Sequence, residues 1–226
     1  MTGGVKVYGV AASPFVATVL VCLEEAGADY ELVAVDMAAR ENRSPHHLAR
    51  NPFGKIPAFE DGELTLFESR AISRYVLRKN NRMDLLGGEG GDLEGSAMAD
   101  VWAEVEAHQY SPAVSNIVRE CVIKQMIGAG ERDQAVVDEN VERLGKVLDV
   151  YEERLSESEY LAGRLVTVAD LSHFGFTWFL MTTEYASLVE SRANVKAWWE
   201  RLLARPAVKK VTALMPAPGG VTTTTI

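Results

Sequence analysis

The chain has 226 residues, of which 47% are hydrophobic, so it can form one large globular domain or two small ones. It carries 32 acidic and 23 basic side chains, a net charge of -9, and has no long basic run, so nucleic acid is not an expected partner. The N-terminus has no signal-peptide pattern and no apolar run could span a bilayer, so we expect a cytoplasmic protein without membrane contact. Two cysteines, Cys22 and Cys121, fall in predicted helices, where we expect free thiols.

The first part of the chain alternates between strand and helix patterns. Residues 5–9 and residues 30–35 have the alternation typical of strands. Between them, Ser13 and Pro14 predict a helix start, because serine suits the N-cap and proline suits the first helical position. A second, short helix is expected after Ser44.

A hairpin followed by a helix is the strongest local signal in the chain. Asp61 and Gly62 separate two runs that contain apolar residues, and an Asp-Gly pair in that setting indicates a β-hairpin. Glu68 and Ser69 then open a segment whose apolar residues recur at helical spacing, namely Ile72, Tyr75 and Val76. Residues 1–80 are therefore predicted to form a βαβαββα domain.

All later signals are helical. Glycines crowd into residues 87–91, so residues 81–95 are predicted to be a linker and residues 96–226 an all-helical domain. The predicted helices include a long segment ending near Ile127 and one that opens with a capping box at residues 167–170, in which aspartate replaces glutamate. The tail, residues 216–226, is rich in proline, glycine and threonine and is expected to be loosely ordered.

Three features of residues 51–70 fit one ligand. The Ile56–Pro57 peptide bond can be cis, because it precedes a proline. A cis bond would leave the backbone N–H and C=O of Ile56 free to pair with an extended peptide. Ser69, at a helix start, offers a hydroxyl and free amides to a carboxylate, and Glu68 can hold an ammonium group. A peptide backbone, a carboxylate and an α-amino group are together the features of glutathione.

Two sequence blocks carry a family resemblance. The chain resembles the glutathione-binding half of a plant phi-class glutathione transferase in two blocks, NPFGKIP at residues 51–57 and FESRAI at residues 67–72. The resemblance as a whole runs from about Val5 to about Val211. It implies a thioredoxin-like N-terminal domain followed by an all-helical domain, with glutathione as co-substrate and no bound cofactor. It also implies a homodimer, with Phe53 and residues 70–74 at the interface.

Ser13 is the candidate catalytic residue. Alone, a serine followed by proline at a helix start is most simply an N-cap. However, the pattern Tyr8-Gly9-x-x-x-Ser13 resembles the phi-class segment that carries the catalytic serine. The resemblance implies that the Ser13 hydroxyl donates to the glutathione sulfur and, with the helix dipole, lowers the thiol pKa. Ser13 would then be a hydrogen-bond donor and not a nucleophile.

The resemblance also assigns the remaining site residues. The glutathione-binding set is Asn42, Arg43, Lys55, Ile56, Pro57, Glu68 and Ser69. The phi class commonly has His-Lys where this chain has Asn42-Arg43, and Gln in place of Lys55, so these positions bear on glutathione affinity. The alternative for the basic residues is that they are only solvated. An acceptor pocket is expected between the domains, and its candidates, which are equally candidates for the helical core, are Pro14, Phe15, Tyr110, Ile117, Val118 and Met126.

The implied reaction is attack of the glutathione thiolate on a small hydrophobic electrophile, or thiolate reduction of an organic hydroperoxide. The alternative is a non-catalytic carrier of flavonoids or other aromatic ligands on the same fold, which could also retain Ser13. A disulfide reductase is disfavoured, because it would need a cysteine at position 13. The four histidines lack ligand spacing, so no metal site is predicted.

Overall fold

The computed structural model describes residues 4–88 and 92–215. The predictions for Gly90 and Gly91 and for the tail at 216–226 lie outside these residues. Within the described ranges, no helix is both long and apolar enough to cross a membrane.

The N-terminal part is built around a four-stranded mixed sheet with the strand order β2-β1-β3-β4. β1 pairs with β2 in parallel and with β3 antiparallel, and β3 pairs antiparallel with β4. The predicted βαβαββα order is confirmed. The elements are β1 Val5–Tyr8, α1 Pro14–Ala26, β2 Tyr30–Val33, α2 Pro45–Arg50, β3 Ala58–Asp61, β4 Leu64–Phe67 and α3 Ser69–Lys79.

The hairpin turn lies one residue later than the Asp-Gly pair suggests. Asp61 still pairs with Leu64 in the ladder, so the two turn residues are Gly62 and Glu63. Gly62 has a φ of 61°, which a two-residue hairpin turn requires at its first position and which glycine adopts without steric cost.

One long helical segment begins the second part of the chain, and it starts inside the predicted linker. Asp92 caps its N-terminus by accepting the N–H of Gly95 at 2.9 Å, a signal that the apolar pattern did not reveal. The segment then runs without a break through two π turns, of the kind often found at functional sites. Its parts are α4 Leu93–Val105, a first π turn Glu106–Tyr110, α5 Ser111–Val118, a second π turn Arg119–Ile123 and α6 Lys124–Met126.

The remaining elements are helices of varied length. They are α7 Gln134–Glu157, α8 Val168–Ser172, α9 Phe174–Leu180, α10 Ser187–Glu190, α11 Ala193–Ala204 and α12 Pro206–Thr212. After β4, the described residues contain no strand, only an isolated bridge between Tyr160 and Gly163. The predicted helical character of the second part is therefore confirmed.

Helix α1 belongs to both parts of the structure. It packs against α3 of the N-terminal part and against α9 and α12 of the helical part, and its residues from Val16 to Leu23 are buried. Val7 and Phe59 of the sheet and Trp198 of α11 belong to the same continuous hydrophobic core. The N-terminus of α1 therefore lies where the sheet meets the helices.

A buried carboxylate organises the start of α8. The predicted capping box is present, and Asp170 is fully buried. Its carboxylate accepts the backbone N–H of Thr167 at 2.8 Å, that of Leu161 at 2.9 Å and the indole N–H of Trp198 at 3.0 Å. One aspartate thus joins a helix start, the preceding loop and α11.

Candidate functional site

Ser13 occupies the N-cap of α1, but its side chain does not cap the helix. Its backbone is extended, with φ -81° and ψ 125°, and its carbonyl accepts the N–H of Ala17 at 2.9 Å. The hydroxyl makes no capping hydrogen bond and the residue is partly exposed. An N-cap hydroxyl usually accepts from a helix amide. Here the hydroxyl is available to an external group at the positive end of the helix dipole.

The loop before β3 is fixed by two buried side chains. The Ile56–Pro57 peptide bond is cis, and Pro57 is buried at the start of β3. The carbonyl oxygen of Lys55 lies 2.9 Å from His47 Nε2 and accepts the Asn51 side-chain amide at 2.9 Å. Sequence reasoning missed the role of His47, because α2 reaches this carbonyl only through the tertiary fold.

Asn42 and Arg43 lie beside this loop and hold it. The Asn42 side-chain amide donates to the Gly54 carbonyl at 2.7 Å, and Arg43 Nη1 donates to the Phe53 carbonyl at 3.2 Å. Gly54 has a φ of 60°, and a Cβ atom there would lie 2.9 Å from the backbone carbonyl oxygen of Asn42. This close approach explains a glycine at position 54.

A cavity of about 360 Å³ adjoins the same two side chains. Asn42 and Arg43 line it together with Met37 and Arg40, neither of which was predicted to belong to the site. Arg40 has a left-handed φ of 57°, which is uncommon for a residue other than glycine. Nothing in the polar sequence from 36 to 43 distinguishes Arg40 from a solvated surface residue.

Lys55, the remaining basic residue of the predicted glutathione-binding set, is exposed.

Glu68 and Ser69 form the start of α3 as predicted. Glu68 is the N-cap residue, with φ 70° and ψ 106°, and its exposed carboxylate makes no capping bond. A non-glycine residue with positive φ is strained, and such strain concentrates at functional sites. Ser69 is the first residue of the helix and is buried.

An ion pair fixes the start of α3 against the first π turn. Arg70 Nε and Nη2 donate to the two carboxylate oxygens of Glu106 at 2.6 and 2.9 Å. Glu106 is only 1% exposed, and its burial raises the carboxyl pKa while Arg70 opposes that shift. Sequence reasoning did not find this pair, because the partners are 36 positions apart and belong to different parts of the fold.

Three of the residues expected to line the acceptor pocket are buried, and a fourth is exposed. Tyr110, Ile117 and Val118 are buried in the hydrophobic core. The Tyr110 hydroxyl lies 2.7 Å from Thr177 Oγ1. These three side chains therefore do not line an open pocket, because the helix turns their face into the core. Met126 is 52% exposed near the end of the long helical segment.

Pro14 and Phe15 do lie beside Ser13, as their adjacency in sequence requires. Pro14 is buried, whereas Phe15 is 37% exposed. The Phe15 ring contacts Phe176 edge to face, with the centroids 5.0 Å apart and the planes at 85°. Phe176 on α9 was not predicted, although it lies in a segment that is visibly rich in aromatic residues.

No metal centre accompanies these features: across residues 4–88 and 92–215, no three His, Cys, Asp or Glu side chains converge on a common point.

The arrangement is a thioredoxin-like domain with a serine at the start of α1, a cis-proline loop and a polar start of α3, followed by a helical domain. This arrangement is characteristic of the glutathione transferase class of thioredoxin-fold proteins.

Comparison with known proteins gives the family. The family model for the glutathione S-transferase N-terminal domain matches residues 3–78, and the one for the C-terminal domain matches residues 110–206. The chain is 58% identical over 218 residues to the probable glutathione S-transferase GSTF1 of rice, covering 96% of this chain and 98% of that protein. The chain belongs to the glutathione S-transferase family, within the plant phi class.

Solved structures agree with this assignment. Glutathione transferase F7 from Populus trichocarpa has a TM-score of 0.89 and 47% identity, covering 93% of this chain and 99% of that one. Maize glutathione S-transferase I, solved with an atrazine glutathione conjugate, has a TM-score of 0.87 and 51% identity, covering 94% of this chain and 98% of that one.

Proposed function

We propose that this protein conjugates glutathione to small hydrophobic electrophiles, with Ser13 stabilising the glutathione thiolate. The observation that carries this proposal is the Ser13 hydroxyl, which lies at the N-terminus of α1 and makes no capping bond. The related maize enzyme was solved with a glutathione conjugate, which favours conjugation over the carrier alternative. A panel of electrophiles and organic hydroperoxides, assayed with the purified protein and glutathione, tests the activity and identifies the acceptor class.

The chemistry needs a thiolate at neutral pH. A free thiol has a pKa near 8.5, so only a few per cent is ionised at pH 7. A hydroxyl donated to the sulfur and the dipole of α1 both favour the charged form. The thiol proton leaves to solvent, and the thiolate electron pair then forms a carbon–sulfur bond as the leaving group departs. Glutathione is a co-substrate, consumed in each turnover.

The two ends of glutathione are assigned to different elements. Glu68 would hold the α-ammonium of the γ-glutamyl group, and the Ser69 hydroxyl and the amides of α3 would hold its carboxylate. The backbone of Ile56 would pair with the cysteinyl unit beside Pro57. The glycyl carboxylate would lie near Asn42, Arg43 and Lys55, with Arg40 as a further cation on the adjoining cavity.

Glu68→Ala is expected to weaken glutathione binding by about 2 kcal/mol, as for a charge-assisted hydrogen bond left unmade. This corresponds to a rise in Kd of about 30-fold, measured by titration calorimetry. Glu63→Ala is the matched control, because Glu63 is also an exposed glutamate but lies in the hairpin turn. Unchanged affinity in a folded Glu68→Ala protein would remove Glu68 from the site.

The protein is further proposed to be a homodimer. The Phe53 side chain is 60% exposed and rests against Phe67 with ring centroids 6.0 Å apart, so it projects from the loop instead of entering the core. Exposed aromatic side chains are common interface anchors. Helix α4 also exposes apolar side chains, those of Met98 and Val101.

Light scattering is expected to give twice the monomer mass at micromolar concentration, and Phe53→Ala is expected to shift the equilibrium toward monomer. Leu165→Ala is the control, since Leu165 is equally exposed but lies on the loop before α8. A monomeric wild-type protein contradicts the proposal.

Two further proposals concern the domain boundary and the cellular location. We place the division between the glutathione-binding and acceptor domains at residues 81–95. We also assign the protein to the cytoplasm, where a reducing environment suits its two free, buried cysteines.

A further inference from the structure

A glycine on α9 is in direct contact with the start of α1. An ideal Cβ atom at Gly175 would lie 2.1 Å from the Pro14 carbonyl oxygen and 2.6 Å from its carbonyl carbon. Real Cβ atoms do not approach backbone that closely, so one of the two helices would have to move. Glycine within a helix costs about 1 kcal/mol relative to alanine, so its presence here calls for a reason. The contact supplies one: α9 and α1 meet backbone to backbone.

Two further contacts hold the same peptide. The Thr18 hydroxyl donates to the Pro14 carbonyl oxygen at 3.1 Å, from one turn along α1. Phe176, next to Gly175, packs its ring against Phe15, the residue that follows Pro14. The Pro14 peptide is therefore held from α1 and α9 at once, and it is covalently joined to Ser13.

We infer that Gly175 is a positioning residue, which sets the place of the Ser13 hydroxyl by letting α9 seat the first turn of α1. This inference rests on the proposed role of Ser13. Gly175 touches neither glutathione nor the acceptor in this scheme and acts only through Pro14. A displacement of about 1 Å at a catalytic group can cost up to about 10²-fold in rate, so a small shift of this turn has a measurable effect.

Gly175→Ala tests the inference. We expect kcat at neutral pH to fall by about 10-fold or more, with the KM for glutathione within about 2-fold, because the ends of glutathione are held elsewhere. The thiol of bound glutathione should ionise at higher pH, as followed by thiolate absorbance, and kcat should recover partly as the pH rises. The control is Gly145→Ala on α7, where the nearest atom to an added Cβ, Arg192 Nη2, is 3.8 Å away.

A second variant covers the case in which Gly175→Ala does not fold. Phe176→Leu keeps the glycine but removes the ring that packs on Phe15, and it should shift the ionisation of bound glutathione in the same direction by a smaller amount. The inference is overturned if folded Gly175→Ala, or Phe176→Leu where Gly175→Ala does not fold, leaves both kcat and the ionisation curve at wild-type values. If Ser13→Ala also leaves the curve unchanged, the proposed function itself fails; if Ser13→Ala shifts it, only the role of Gly175 fails.

Discussion

Replacing Ser13 with alanine is expected to lower turnover at neutral pH by about 10²-fold or more, the scale seen when a single preorganised donor is lost. The reason is that the hydroxyl makes no capping bond within α1, so in the proposed mechanism it is free to donate to the glutathione sulfur. Without that donor, the pKa of the bound thiol rises toward its free value. The loss should therefore be greatest at neutral pH and should diminish as the pH rises.

The decisive measurement is the ultraviolet thiolate absorbance of bound glutathione against pH, in wild type and Ser13→Ala. Glutathione affinity should change little, because its two ends are bound elsewhere. Ser44→Ala is the matched control: Ser44 also precedes a proline at a helix start, but its hydroxyl accepts the His47 N–H. That variant should lose about 1 kcal/mol of stability with an unaltered pH profile. Superimposable curves for wild type and Ser13→Ala would reduce Ser13 to a structural residue.

Asp170→Ala is expected to lower the free energy of unfolding by about 4 kcal/mol, the largest stability effect we predict. The substitution leaves the backbone N–H groups of Leu161 and Thr167 and the indole N–H of Trp198 without their acceptor. Each buried donor left unsatisfied costs about 1–3 kcal/mol. The cost is high because Asp170 has no exposure to water, which could otherwise replace the carboxylate.

Chemical denaturation, followed by tryptophan fluorescence, measures this effect. Asp133→Ala is the matched control: Asp133 caps α7 by accepting the N–H groups of Ala135 and Val136, but at an exposed position. Water can satisfy those donors, so a loss of only about 1 kcal/mol is expected. Equal losses for the two aspartates would contradict a special role for the buried one.

The parts of the fold that were predictable have local causes. The start of α1 follows from Ser13 and Pro14, the capping box at Asp170 follows from its spacing to Thr167, and the hairpin follows from a glycine at the turn. In each case, neighbouring residues determine the backbone conformation, so their order in the sequence carries the information. The start of α3 at Ser69 belongs to the same group.

What the sequence did not reveal depends on contacts between distant segments. The apolar pattern of α5 is the same whether Ile117 faces a pocket or the core, and only the packing of the helices decides that it is buried. Likewise, Gly175 resembles any helical glycine until α9 is placed against Pro14. The start of α4 was missed for another reason: Leu93 is exposed and adds nothing to an apolar stripe.

The two π turns have a consequence for how this protein can vary in length. A residue advances an α-helix by about 100°, and a π turn holds one residue more than an α turn. Deleting one residue from Glu106–Tyr110 would therefore convert the π turn to an α turn with little rotation of α5 relative to α4, whereas deleting one residue from regular α5 would rotate all later residues by about 100°. After a deletion between Glu106 and Tyr110, Glu106 could still meet Arg70 and Tyr110 could still meet Thr177. Single-residue deletions should therefore be tolerated more readily within the π turns than within the regular helices beside them, so the π turns are where the length of this segment can vary.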